Sequence, residues 1–289
     1  MNLYREFTSA EDIDREYNAV SMVSDLGPYL EFDASANETA RNELKCVLDV
    51  SYGHRADEIL DIFPAETAEA PVVIFIHGGY WKSMSSRDFS LVANGLVANG
   101  VTVVIPNYSL CPSVAFPEIT KQNRVAVAWV YENIHMFNGD PGNIFLCGHS
   151  AGAQQVGMLA ATDWEGEYRL PGESIRAGVP ISGIFDLSPL YYSWLQPTLR
   201  LTHDTIMRES PLFQVPVGGM PLLVSVGAEE SSEFIRQARE YQAAWEQAGN
   251  SVEICIQPER NHFTTIRDLY FEDGRFTQTL LTFLEQNRR

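Results

Sequence analysis

Ser150 stands in Gly148-His149-Ser150-Ala151-Gly152, directly behind the apolar run 144–147 and ahead of the helix-compatible stretch 151–156. A G-x-S-x-G pentapeptide set between a buried strand and a helix holds its serine on a sharp turn, with the hydroxyl lifted above the sheet edge. Glycine is needed on both sides because a side chain two positions from such a serine collides with neighbouring backbone. The chemistry this suits is nucleophilic attack on an acyl carbon, with the backbone N–H of Ala151 free to stabilise an oxyanion.

A serine hydroxyl is a weak nucleophile until a base takes its proton and an acid orients the base. Where the serine sits on a strand-to-helix turn of this kind, the chain order is serine, acid, histidine. Of six histidines only His203 and His262 lie beyond Ser150. His203 falls in an irregular stretch rich in Pro, Leu, Tyr and Trp, whereas His262 follows the last strand, within Arg260-Asn261-His262-Phe263. His262 is therefore the expected base. The acid belongs just past the strand at 222–226, where Gly227-Ala228-Glu229-Glu230-Ser231 offers two carboxylates. The position three residues past the strand-ending glycine selects Glu230. Glu229, and Asp186 after the preceding strand, remain open. Glu229, Glu230 and Glu233 together also read as an acidic helix start favoured by the macrodipole.

His77-Gly78-Gly79-Tyr80-Trp81 follows the apolar run 72–76. Two glycines there let backbone N–H groups approach a substrate carbonyl, so Gly78 and Gly79 join Ala151 as expected oxyanion donors, each worth ~3 kcal/mol when preorganised. His77 is expected to tie down this loop and His149 to pack. Tyr80 and Trp81 read either as core or as residues facing the substrate.

These groups need a frame to hold them. Stretches 45–51 and 58–63 alternate weakly around Gly53-His54 and predict a leading hairpin. The runs 72–76 and 101–105 are apolar at every residue, as parallel strands covered on both faces require. Helical spacing marks 86–99, 117–137 and the face Phe234, Ala238, Tyr241, Trp245, with a closing helix over 276–287. Further strands are expected at 144–147, 177–184, 222–226 and 252–256, although Pro180 is awkward in a central strand. Strands alternating with helices imply an α/β fold with a mostly parallel, doubly wound sheet, and chemistry at the carboxyl ends of its strands. Residues 187–218 read as a small cap insertion. Residues 1–40 are polar and read as an N-terminal arm, for the body or for a second subunit, which leaves a homo-oligomer open. The remainder, 41–289, is expected to form a single domain.

A formal charge of −18 argues against nucleic acid or an anionic membrane surface as partner, since both require basic surface. Cys46, Cys111, Cys147 and Cys255 are scattered, without metal-ligand or redox spacing. Buried reduced thiols suit a cytoplasmic protein, and the first residues carry no apolar targeting segment. No metal or organic cofactor is expected.

His77-Gly78-Gly79-Tyr80-Trp81 followed by Gly148-His149-Ser150-Ala151-Gly152 resembles the arylformamidase (kynurenine formamidase) family of α/β-hydrolases. The likeness extends to Asp61-Ile62-Phe63-Pro64 and to Asn107–Pro112, and Ser182–Pro189 and Glu209–Pro211 are similar to the borders of the family's cap. It continues through Ser232–Gln237 and Asn261-His262-Phe263, covering roughly residues 45–287. The resemblance implies an α/β-hydrolase fold with Ser150 as nucleophile, His262 as base and the glycine loop with Ala151 as oxyanion hole. The family's acid is usually aspartate, and the matching position here is Glu230, one methylene longer. The implied substrate is a small aromatic N-formyl amide, notably N-formyl-L-kynurenine. Tyr80, Trp81, Tyr191, Tyr192 and Trp194 are candidates for a flat aromatic wall, and the three in the cap read equally as packing the insertion onto the body. A broad carboxylesterase, an amidase for other small aromatic substrates, and a non-catalytic binding protein on the same fold are the competing expectations.

Overall fold

The computed structural model describes residues 2–289. One eight-stranded sheet organises it: β1 (Val47–Ser51), β2 (Ile59–Phe63), β3 (Ala70–Ile76), β4 (Thr102–Pro106), β5 (Gly139–His149), β6 (Ile175–Ile181), β7 (Leu222–Gly227) and β8 (Val252–Gln257). Their spatial order is β1-β2-β4-β3-β5-β6-β7-β8. The β1–β2 and β2–β4 pairings are antiparallel, and every later pairing is parallel. This is an α/β-hydrolase sheet with its leading hairpin.

Among the described residues ten α-helices surround it: α1 (Ala10–Tyr17), α2 (Gly27–Glu43), α3 (Val92–Ala98), α4 (Phe116–Asn133), α5 (Ala151–Ala160), α6 (Trp164–Tyr168), α7 (Gln196–Leu199), α8 (His203–Glu209), α9 (Ser232–Gln247) and α10 (Arg275–Asn287). The apolar run of β3 shows why two layers form. Val72, Ile74 and Ile76 enter the core shared with α4, α5 and α9. Val73 and Phe75 enter the opposite core, with α2, α3 and α10. Successive side chains of a strand point to opposite faces, so an uninterrupted apolar run must be covered on both.

Pro180 lies inside β6, buried and opposite Gly148 of β5. On the other side β6 meets β7 in register only at Gly178–Leu222 and Ile181–Ser225. The proline thus falls in a gap of the β6–β7 pairing, where its missing N–H matters least. Residues 187–218 contain 3-10 turns and the short helices α7 and α8. Among the described residues, no helix is long and apolar enough to cross a membrane.

Elements within residues 2–40 pack on the body of the molecule. Ile13 and Tyr17 of α1 are fully buried, as is Ala40 of α2. Arg41 of α2 pairs at 2.9 Å with Asp61, a carboxylate wholly buried in β2.

Candidate active site

β3, β5, β6, β7 and β8 end on the same edge of the sheet, and the residues of interest follow those ends. Ser150 takes φ 58° and ψ −118°, a left-handed backbone uncommon for any residue but glycine. Its N–H donates to the Ile181 carbonyl at 2.9 Å, which ties the turn to the end of β6. The flanking glycines are steric necessities. A Cβ on Gly152 would lie 1.9 Å from the Ile76 carbonyl oxygen, and one on Gly148 would lie 2.6 Å from the Gly152 carbonyl oxygen.

The Ser150 hydroxyl donates to His262 Nε2 at 3.0 Å, and His262 Nδ1–H donates to Glu230 Oε2 at 2.7 Å. The tautomer follows from the partner, because an ionised carboxylate only accepts. Ser150 is 3% exposed and His262 5%, so this relay is almost closed to water. The backbone of His262 is also gripped, its carbonyl receiving His149 Nε2–H at 2.9 Å and the Thr265 hydroxyl at 3.2 Å. Burial, and secondarily the nearby His262 ring, push the His149 pKa well below its ordinary value, so His149 stays a neutral donor.

Three carboxylates compete for the third place in the relay, and only one reaches His262. Glu230 is buried, and its Oε1 accepts the Gly227 N–H at 2.8 Å and the Ser182 hydroxyl at 2.5 Å. Glu229 points to solvent. Asp186 is taken up elsewhere, accepting the Tyr4 hydroxyl and the Ser188 N–H, both at 2.8 Å. His203 is exposed at the start of α8.

The glycine loop lies directly against the serine, since a Cβ on Gly78 would come 3.2 Å from Ser150 Cβ. His77 explains the posture of this loop. It is wholly buried, burial lowers its pKa to about 4, and its Nδ1–H donates to the Gly78 carbonyl at 2.8 Å. Its ring stacks on Tyr108 at 4.1 Å, and the Tyr108 hydroxyl donates to the His77 carbonyl. With the Gly78 carbonyl held on the histidine, the Gly79 N–H of the same trans peptide faces the other way. Gly79 has φ +111°, and a Cβ there would meet the Ser83 carbonyl oxygen at 2.0 Å. Ala151 opens α5, where no earlier turn exists to satisfy its N–H. Backbone donors from two segments thus flank the hydroxyl.

The aromatic wall needs correcting. Trp81 is fully buried, packed on Phe116 with its indole N–H donated to Gln154 Oε1 at 2.9 Å. Tyr80 and Trp81 both adopt positive φ, 51° and 56°, and this turn carries the indole into the core. Tyr80 stands edge-on to Trp194 at 5.4 Å, whereas Tyr191 and Tyr192 are exposed and packed on each other. Of the five aromatics, Tyr80 and Trp194 form a joined surface beside the glycine loop.

Sequence reasoning gave the arm no role here, yet it touches the glycine loop, the acid loop, the histidine loop and the cap. The Tyr80 hydroxyl donates to the Tyr17 carbonyl at 2.6 Å and accepts the Ala19 N–H at 3.1 Å. The Tyr17 hydroxyl donates to Glu233 at 2.6 Å, and Ser231 donates to the Glu16 carbonyl at 2.7 Å. The Trp194 N–H bonds Asp14, while Tyr29 packs at a tilt against Phe263 and accepts from Asn261. Among the described residues no cluster of His, Cys, Asp or Glu is arranged to hold a metal ion.

The family model named BD-FAE matches residues 60–241. The chain is 33% identical over 257 residues to kynurenine formamidase of Danio rerio, covering 86% of each chain. It is 28% identical over 237 residues to Esterase LipQ of Mycobacterium tuberculosis, covering 74% of this chain and 56% of that one. A crystal structure from Silicibacter sp. TM1040, provisionally named a thioesterase, superposes with a TM-score of 0.82 at 29% identity, covering 93% of this chain and 99% of that chain.

Proposed function

The chain belongs to the kynurenine formamidase family of α/β-hydrolases, within the BD-FAE group, and on that premise we propose that it hydrolyses N-formyl-L-kynurenine to formate and kynurenine. Ser150 Oγ attacks the formyl carbon while His262 Nε2 takes its proton. Glu230 holds His262 in the donating Nδ1–H tautomer and stabilises the imidazolium that forms. The oxyanion develops against the N–H groups of Ala151 and the Gly78–Gly79 loop. The imidazolium then protonates the aniline nitrogen as the C–N bond breaks, leaving a formyl ester on Ser150. His262 next draws a proton from the water that attacks that ester, then returns it to Ser150 Oγ as the ester C–O bond breaks and formate leaves.

The observation that carries this reading is the unbroken relay Ser150–His262–Glu230 in a chain one-third identical to a kynurenine formamidase. The likeness to esterases supports a second reading, carboxylester hydrolysis by the same relay. Purified protein should turn over N-formyl-L-kynurenine with kcat/KM above ~10⁴ M⁻¹s⁻¹, and Ser150→Ala should lower kcat by about 10⁴-fold or more. Serine-dependent turnover of p-nitrophenyl acetate without formamide turnover would leave the ester reading standing and remove the formamidase one.

A further inference from the structure

We propose that Ser182 is a positioning residue of the catalytic relay, a fourth member whose hydroxyl holds Glu230 against His262. This rests on the serine-hydrolase reading of the site and adds to it a residue that acts through another. Ser182 is the first residue past β6, wholly buried, and its only hydroxyl proton is directed at Glu230 Oε1 at 2.5 Å. Thr265 Oγ1 lies farther off, at 3.4 Å, and Thr265 gives its own proton to the His262 carbonyl. Ser182 is thus committed to the carboxylate.

Two features argue for a hydroxyl that is needed and not incidental. Ser182 has φ 55°, a backbone position that favours glycine. A side chain retained in that conformation, wholly buried, points to a use for the side chain. The second feature is the acid itself. Glutamate has one more side-chain torsion than the aspartate usual in the family, and therefore more ways to swing off the imidazole. Oε1 is pinned from two sides, by the Gly227 N–H and the Ser182 hydroxyl, so that Oε2 is left for His262. The neighbouring Ile181 carbonyl receives the Ser150 N–H, and the Ser182 N–H donates to Ser225 at 2.8 Å. The end of β6 therefore grips nucleophile and acid through consecutive residues.

The test compares Ser182→Gly with Ser182→Ala, each alone and combined with Glu230→Gln. Alanine removes only the hydroxyl, and glycine removes the whole side chain but suits the positive-φ backbone, so a loss shared by both variants is loss of the bond and not misfolding. Two rates are read: kcat and KM on N-formyl-L-kynurenine and p-nitrophenyl acetate, and covalent labelling of Ser150 by a fluorophosphonate. Both single variants should lose about tenfold in kcat and in labelling rate, with KM within about twofold. Neither should add to the loss already present in Glu230→Gln. A glycine variant as fast as wild type, or losses that multiply in the Glu230→Gln background, would overturn the proposal. Labelling that persists in Ser150→Ala would instead overturn the hydrolase reading beneath it.

Discussion

His77 and His149 support the loops that carry the reacting groups, and both are buried and neutral. Burial takes His77 down to about 4, and burial with the neighbouring His262 takes His149 well below its ordinary value. In the unfolded chain each binds a proton near pH 6.5. The folded protein binds fewer protons than the unfolded chain between those limits, so this contribution is complete above about pH 6.5. It is lost as pH falls toward the folded values. For His77 the loss amounts to about 3 kcal/mol by pH 4, at ~1.4 kcal/mol per pH unit. Denaturant midpoints of wild type and His77→Gln should therefore converge as pH is lowered from 7.5 to 5. A gap that stays constant would mean that His77 titrates alike in both states.

The helix α9 shows what an element owes to its first residue. Ser231 Oγ accepts the Phe234 N–H at 3.3 Å and donates to the Glu16 carbonyl, so one hydroxyl caps the helix and anchors the arm. Ser231→Ala should cost ~1 kcal/mol in denaturant unfolding. Because Glu230 immediately precedes the cap, kcat should fall several-fold with KM little changed; an unaltered denaturation midpoint would refute the cap's share. At β2, Arg41→Ala should cost more, about 3 kcal/mol, by leaving the Asp61 carboxylate buried without its cation. Elements of this kind were legible where their cause is local. Phe234, Ala238, Tyr241 and Trp245 mark one helical face in the sequence, and all four are fully buried. The Ser150 turn was legible because its glycine spacing records a steric demand within a few residues. The arm was not, for α1 is largely polar and its anchors, Tyr80, Trp194, Ser231 and Glu233, lie far along the chain. Between core and substrate face, Trp81 was undecidable in sequence because the residues that take the left-handed turn, Tyr80 and Trp81, are not glycines. Nothing local marks Ser182, whose bond to Glu230 spans 48 residues.

Over the whole molecule, a net charge of −18 adds self-repulsion to the folded state. Raising NaCl from 10 to 150 mM shortens the screening length to ~8 Å and should raise Tm on the order of 2 °C; a fall would mean that specific ion pairs outweigh the net charge. Set against the 5–15 kcal/mol typical of a whole fold, the left-handed residues around the site matter. Ser150 and Ser182 have φ 58° and 55°, each a strain of about 1–3 kcal/mol. Glycine at either position would relax that strain. A mutant library screened only for heat resistance or yield of folded protein should therefore accumulate Ser150→Gly and Ser182→Gly. Its winners would be sturdier proteins but slowed catalysts at Ser182 and failed ones at Ser150, so any selection on this scaffold has to score turnover in the same round.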